Sequence, residues 1–334
     1  MRAAFGSFDP RSPFGGTSLT AVRLFSQLRS VFGKDLPLAT LFQAPTVEKL
    51  AALMHSEGRS TRWKSLVAIQ PDGGNTPLFM VPGVGGNVLE FARLANLLGS
   101  DQPFYGAQSR GLDGKEVPLR DINAMAREYL KEIRQLQPHG PYRLGGACMG
   151  GIVAFEMAQQ LQASGEKVAL LALIDTPLTR AFNRKRYRLL SVLHPIYFLG
   201  QGAFRHLRSL RGKTLGDWLA GFRVVLGIVR QMVRQRDVYR GDRNVLYQDI
   251  VTAANYEAMA SYVPREYQGR LHLFVASERP VNPAHYSRLD WAKFATGGFS
   301  VFRINAKDSG ELLRVPYVTE LAEKIGETLK GSEA

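Results

Sequence analysis

Cys148, the single cysteine of the chain, stands at the centre of Leu144-Gly-Gly-Ala-Cys-Met-Gly-Gly151. Gly146 and Gly150, two places before and two places after it, are the small residues that a sharp strand-to-helix turn needs at its crowded centre. The flanks agree. An apolar run opening at Tyr142 reads as a strand, and Ile152-Val-Ala-Phe-Glu-Met-Ala158 reads as a helix. A thiol at the tip of such a turn meets the positive end of a helix dipole, which favours thiolate and attack on an activated carbonyl. A buried cysteine in an ordinary Gly-rich turn is the alternative reading of the same segment.

A turn of this kind needs a strand and a helix to hold it, and the surrounding sequence supplies a series of both. From Pro77 onward strands are expected at Leu78–Val81, Pro103–Ala107, from Tyr142, and at Val168–Ile174, Leu271–Ala276 and Phe299–Ile304. Helices are expected near Leu89–Leu98, over Ile122–Leu136, after the cysteine, and from about Tyr317 to Leu329. Val84-Gly-Gly-Asn87 reads as the turn leading into the first of them. Such alternation implies an α/β fold, a mainly parallel sheet with helices on both faces. Ahead of it, apolar residues at Leu19, Val22, Phe25, Leu28 and Phe32 have helical spacing. Thr46 then caps a short helix over Val47–Met54. Residues 56–76 are polar and aperiodic and read as a linker.

The chain has 334 residues, 45% hydrophobic and 22% charged, with a net charge of +14. Between Arg180 and Arg243 lie fifteen Lys/Arg against three Asp, so most of the excess is confined there. The remainder is nearly neutral and carries no nucleic-acid motif, so nucleic acid is not the expected partner. An acidic protein or a substrate phosphate suits the basic stretch equally, as does a solvated helical face. Within it Trp218–Arg240 sets Trp218, Phe222, Val225, Val229 and Met232 on one side and arginines on the other, an amphipathic insertion of the kind that caps a cleft. No run of 18 apolar residues and no signal pattern appears, so no membrane span is expected. One cysteine excludes an internal disulfide, and the cytoplasm is the expected location.

Three long matches identify a family. Pro77-Leu-Phe-Met-Val-Pro-Gly-Val-Gly-Gly-Asn-Val-Leu-Glu-Phe91, Tyr105-Gly-Ala-Gln-Ser-Arg-Gly-Leu-Asp-Gly114, and Gly140-Pro-Tyr-Arg-Leu-Gly-Gly146 with its turn resemble the C-terminal thioesterase domain of nonribosomal peptide and polyketide synthases. Phe14-Gly-Gly-Thr-Ser-Leu19 resembles the phosphopantetheine attachment site of a carrier protein. The resemblance implies an α/β-hydrolase with a helical lid at about 178–262, filling 77–334, after a partial carrier domain at 1–56 and a linker at 57–76. It implies that Cys148 is the nucleophile and that Asp175 is the acid ending the strand Val168–Ile174, where a loop cap is the alternative. The N–H groups of Val84 and Met149 would form the oxyanion hole. Ser18 would carry 4′-phosphopantetheine, an ordinary helix N-cap being the alternative. The implied partners are a carrier-bound acyl or peptidyl thioester and upstream synthase modules, and the implied reaction is release by hydrolysis, cyclisation or transfer.

Two features depart from the family. The histidine expected seven residues before Pro316 is Ser309, which cannot serve as a base. A cysteine nucleophile relieves part of this loss, because a free thiol, with a pKa of about 8.5, supplies thiolate unaided. Acyl transfer is then favoured over hydrolysis. Among the histidines His285 is the first choice as substitute base, since it follows a strand of the sheet. His194 and His206 are placed in the lid, His55 in the carrier-like part, His139 before the elbow strand and His272 within a strand. Second, only about seventeen residues precede Ser18, so the carrier lacks its first helix. A silenced acyl-binding or scaffolding relative is the alternative function, and a lipase-like esterase a weaker third.

Overall fold

The computed structural model describes residues 24–25, 27–28, 31–33, 36, 40–44, 46–55, 64–112, 114–178, 243–278 and 288–331. Its strands are β1 (Leu66–Gln70), β2 (Leu78–Val81), β3 (Phe104–Ala107), β4 (Tyr142–Ala147), β5 (Val168–Ile174), β6 (Leu271–Ala276) and β7 (Phe299–Ile304). They form one sheet in the order β1-β3-β2-β4-β5-β6-β7. β1 runs antiparallel to β3, and every other pairing is parallel.

The strand sequences follow from burial on both faces. Leu78 and Met80 of β2 point into one core layer and Phe79 and Val81 into the other. Leu170, Ala172 and Ile174 of β5 divide from Leu171 and Leu173 in the same way. A strand enclosed between two helical layers has no wet side, so its sequence is apolar throughout.

The helices are α1 (Thr40–Gln43), α2 (Val47–His55), α3 (Ala92–Leu97), α4 (Ile122–Leu136), α5 (Met149–Ala163), α6 (Arg243–Ser261), α7 (Ser309–Leu312) and α8 (Tyr317–Gly331), with 3₁₀ turns at Val88–Phe91 and Arg288–Lys293. α4, α5 and α6 contribute to one core layer, and α3 and α8 to the other. α4 begins where the carboxylate of Asp121 accepts the Ala124 N–H at 2.8 Å. α5 is enclosed nearly all round, and even its Glu156 and Gln159 are buried. The hydroxyl of Tyr262 meets both, at 2.9 and 3.1 Å, so neither is left without hydrogen bonding.

Two elements correct the sequence expectation. Residues 66–70, read as part of a linker, form the edge strand β1. Only Leu66 in it is buried outright, so its apolar pattern is weak. What fixes it is remote in sequence: the buried Glu132 of α4 accepts N–H bonds from Lys64, Ser65 and Leu66 at 3.0, 3.0 and 2.7 Å. The helix α6 was also not anticipated as a unit. Its residues Val251, Ala254, Asn255 and Ala258 are buried, a mix of small and polar side chains that carries little helical signal in sequence.

The N-terminal helices have a small core of Phe25, Leu41, Ala44 and Leu50, against which Leu89 of the first 3₁₀ turn packs. Phe42 of α1 packs against the larger core beside β1. The helical unit therefore leans on the edge of the sheet and covers part of it. Ser18 and the expected amphipathic helix Trp218–Arg240 lie outside the described residues. Among the described residues no helix is long and apolar enough to cross a membrane.

Candidate active site

β4 ends at Ala147, and Cys148 follows with φ 51° and ψ −120°. A positive φ at a residue with a side chain costs about 1–3 kcal/mol and persists only when its surroundings impose it. Here they do. The Cys148 N–H donates to the Ile174 carbonyl at 2.8 Å, tying the turn to β5. A Cβ on Gly146 would overlap the main chain of Gly150, and one on Gly150 would overlap the carbonyls of Val81 and Pro82. A Cβ on Gly151 would overlap the Thr176 hydroxyl. α5 thus starts in main-chain contact with its neighbours, which is possible only with glycine at these places. Cys148 is left half-buried at the tip, with access to solvent.

The turn after β2 supplies the next wall. Gly86 N–H donates to Gly83 O at 2.8 Å, closing a turn with Val84 inside it. A Cβ on Gly83 would stand 3.7 Å from Cys148 Cβ, so this turn lies directly against the cysteine. Two side chains brace it. Asn255 of α6 donates from Nδ2 to Val84 O at 2.8 Å and to Ser109 Oγ at 3.2 Å. Glu90, in the 3₁₀ turn, reaches back so that its Oε1 accepts the Gly83 N–H at 2.9 Å. Burial around this carboxylate pushes Glu90 up to about 7, against the opposing effects of the Gly83 bond and the charge of Arg314.

Asn255→Ala removes the donor that fixes the Val84 carbonyl and leaves that carbonyl unsatisfied, at a cost of about 1–3 kcal/mol. Loosening a turn that borders Cys148 is expected to lower kcat by up to about 10²-fold. Steady-state kinetics on a thioester, alongside a thermal melt, measures both effects.

Asp175 follows β5 with φ 47°, fully buried, and its N–H donates to Phe274 O at 2.7 Å. Because Cys148 bonds to the carbonyl of Ile174, the two candidate residues leave neighbouring strands at the same edge of the sheet. Val84 lies beside Cys148 in the turn just described, and Met149 is the first residue of α5. Ser309 opens α7, where the Asp308 carboxylate accepts from the N–H groups of Gly310 and Glu311 at 2.9 and 3.0 Å. It occupies the loop after β7, at the carboxyl edge of the parallel strands.

The other proposed bases distribute as follows. His139 sits in the turn before β4, exposed and 3.3 Å from Glu166. His272 is within β6, its ring 6.1 Å from that of Phe302, and burial pushes it down. His55 closes α2. His194, His206 and His285 lie outside the described residues. Among the described residues no histidine follows a strand of the parallel sheet, and no group of side chains suited to a metal ion assembles. Glu90 and Asn255 were not anticipated as site residues. In sequence Glu90 is one acid in a helical turn, and nothing local shows that it folds back toward Gly83.

The fold agrees with what this chain is similar to. The family model "Thioesterase domain" matches residues 76–328, and "Phosphopantetheine attachment site" matches residues 12–54. Indigoidine synthase of Dickeya dadantii is 46% identical over 178 residues, covering 51% of this chain and 12% of its own length. The dimodular nonribosomal peptide synthase of Bacillus subtilis is 40% identical over 161 residues, covering 48% of this chain and 7% of its own length. The chain therefore spans a small part of these curated relatives. In structure, a four-domain nonribosomal peptide synthetase, holo-AB3403, superposes with a TM-score of 0.62 at 22% identity, over 94% of this chain and 24% of that one. The NocB thioesterase domain superposes with a TM-score of 0.55 at 21% identity, over 80% of this chain and 99% of that one.

Proposed function

The chain belongs to the thioesterase family of nonribosomal peptide synthetases, with a phosphopantetheine carrier domain ahead of its thioesterase domain, and on that premise we propose that it accepts a carrier-bound acyl or peptidyl thioester on Cys148 and releases the chain. The observation that carries this reading is the backbone at Cys148, whose strained φ of 51° holds a half-exposed thiol at the start of α5. The turn places Cys148 at a helix N-terminus, where the dipole favours a thiolate nucleophile.

In the proposed reaction the Cys148 sulfur attacks the thioester carbonyl, and the oxyanion is met by the N–H groups of Val84 and Met149. One such donor contributes about 2.7–4 kcal/mol to acyl transfer. The pantetheine thiol leaves, and exchange of one thioester for another is close to isoenergetic. The phosphopantetheine arm supplies the activated thioester. Ser18, the proposed attachment residue, lies outside the described residues. The proposed domain extents are a partial carrier at 1–56, a linker at 57–76 whose end the sheet takes in as β1, and the thioesterase domain from 77. The basic stretch would receive the phosphate or an acidic carrier surface. With Ser309 in the place of the family histidine, an amine acceptor competes better than water, so the proposed outcome is transfer or cyclisation ahead of hydrolysis. Asp175, buried just after the neighbouring strand β5, is the proposed acid of the site.

Incubation of the full chain with a short-chain N-acetylcysteamine thioester, followed by intact-mass measurement, tests the reading. One acyl group on Cys148, discharged by an added amine, is the expected result. Protein that remains unmodified at high thioester concentration overturns it in favour of a non-catalytic acyl-binding relative, which the serine at 309 would suit.

A further inference from the structure

The family's proton carrier is replaced at Ser309, yet thiol–thioester exchange still moves two protons: one off Cys148 and one onto the departing thiol. A group beside the nucleophile that exchanges protons near neutrality would speed both transfers, and Glu90 is the candidate. A Cβ placed on Gly83 would be 3.7 Å from Cys148 Cβ and 3.9 Å from Glu90 Oε1. The carbon that bears the sulfur and the carboxylate thus both border Gly83.

We propose that Glu90 is the proton acceptor and donor for Cys148, standing in for the missing histidine. This rests on Cys148 being the acyl-accepting nucleophile. Three further observations agree. Oε1 accepts the Gly83 N–H at 2.9 Å, which ties the carboxylate to the turn that borders Cys148. Burial holds Glu90 at about 7, where it gives and takes protons at similar rates near neutral pH. The charged group that acts on it from a neighbouring element is Arg314, just after α7, the short helix that Ser309 opens, and its effect is the smaller one.

The steps balance. Oε2 takes the proton from the Cys148 thiol, and the thiolate forms a bond to the thioester carbonyl carbon. The tetrahedral intermediate collapses with cleavage of the carbon–pantetheine sulfur bond. The proton on Glu90 passes to the pantetheine thiolate, leaving an acylated Cys148, a free pantetheine thiol and an ionised Glu90. The same carboxylate is then ready to receive the proton of an incoming amine or hydroxyl.

Glu90→Gln separates this role from a bracing one, because glutamine keeps an oxygen for the Gly83 N–H but cannot titrate. Cys148 is the only cysteine, so alkylation by iodoacetamide reads its reactivity without ambiguity. In the wild-type full chain the alkylation rate is expected to show an inflection near pH 7 before the main thiol step, and Glu90→Gln is expected to leave the thiol step alone. Acylation by the N-acetylcysteamine thioester should fall by about 10²–10⁴-fold in Glu90→Gln, with the melting temperature retained. Superimposable alkylation profiles overturn the proposal. So does an acylation defect seen in Glu90→Ala but absent from Glu90→Gln, which would reduce Glu90 to a brace for the turn. An inflection that survives Glu90→Gln and disappears in His285→Asn overturns it in favour of His285. If the inflection depends on Glu90 but the wild type takes no acyl group, the proton pair stands and the acyl-transfer function falls.

Discussion

Cys148→Ser is expected to lower the rate of acyl-enzyme formation by about 10²–10⁴-fold, the range that a well-placed base contributes to such a step. In relatives of ordinary pattern serine is the nucleophile, so the substitution restores the common residue and still removes function. The reason we propose is Ser309 in place of the family histidine. A thiol is a few per cent ionised near neutrality and strongly nucleophilic, whereas a serine hydroxyl depends on a strong base to become reactive. A carboxylate with a pKa of about 7, such as Glu90, is matched to a thiol and poorly matched to an alcohol. Cys148→Ala, which abolishes the covalent adduct altogether, sets the floor. The adduct measured by intact mass for the serine variant should lie near that floor at times when the wild type is fully acylated. Serine that acylates as fast as cysteine would show that a strong base is present, and the link between residues 148 and 309 would be lost.

Gly150→Ala is expected to damage both stability and chemistry. The added carbon would meet the carbonyls of Val81 and Pro82, which are main chain and cannot rotate away. Either α5 withdraws from β2 or the turn carrying Gly83 and Val84 shifts. Overpacking of this kind costs about 3 kcal/mol when no side chain can yield. For a domain of this size that corresponds to a melting temperature lowered by roughly 6–12 °C. Either movement also separates Cys148 from the turn of Gly83 and Val84, and a displacement of about 1 Å there is expected to lower the rate by about 10²-fold. Gly326→Ala in α8 is the control. A Cβ there meets nothing within 4 Å, so the change should stabilise by about 0.5–1 kcal/mol through helix propensity alone. If Gly150→Ala melts and acylates like Gly326→Ala, the close seating of α5 on β2 is wrong.

Much of the fold was legible in the residues. The strands Leu78–Val81, Val168–Ile174, Leu271–Ala276 and Phe299–Ile304 and the helix Ile122–Leu136 appear with the bounds that hydrophobic pattern gives them. Leu78–Val81 and Val168–Ile174 are continuously apolar and Ile122–Leu136 is regularly amphipathic, so their burial is encoded locally. The turn around Cys148 was legible for a related reason: close main-chain contact admits only glycine, and glycine at fixed spacing is visible in any sequence. The serine at 309 was equally visible, as a departure from an expected pattern.

β1, Glu90 and Asn255 were not legible. β1 exists because Glu132, 66 residues from Leu66, holds its first N–H groups. Asn255 meets Val84 across 171 residues, and its identity in α6 says nothing of that partner. Glu90 is nearer, seven residues from Gly83, but its titration is set by the layers that close over it. Local sequence fixes which residues are small, apolar or nucleophilic, because those properties belong to the residue itself. Which carboxylate loses its water, and which carbonyl gains a donor, depends on groups brought together by packing, and no spacing along the chain records that.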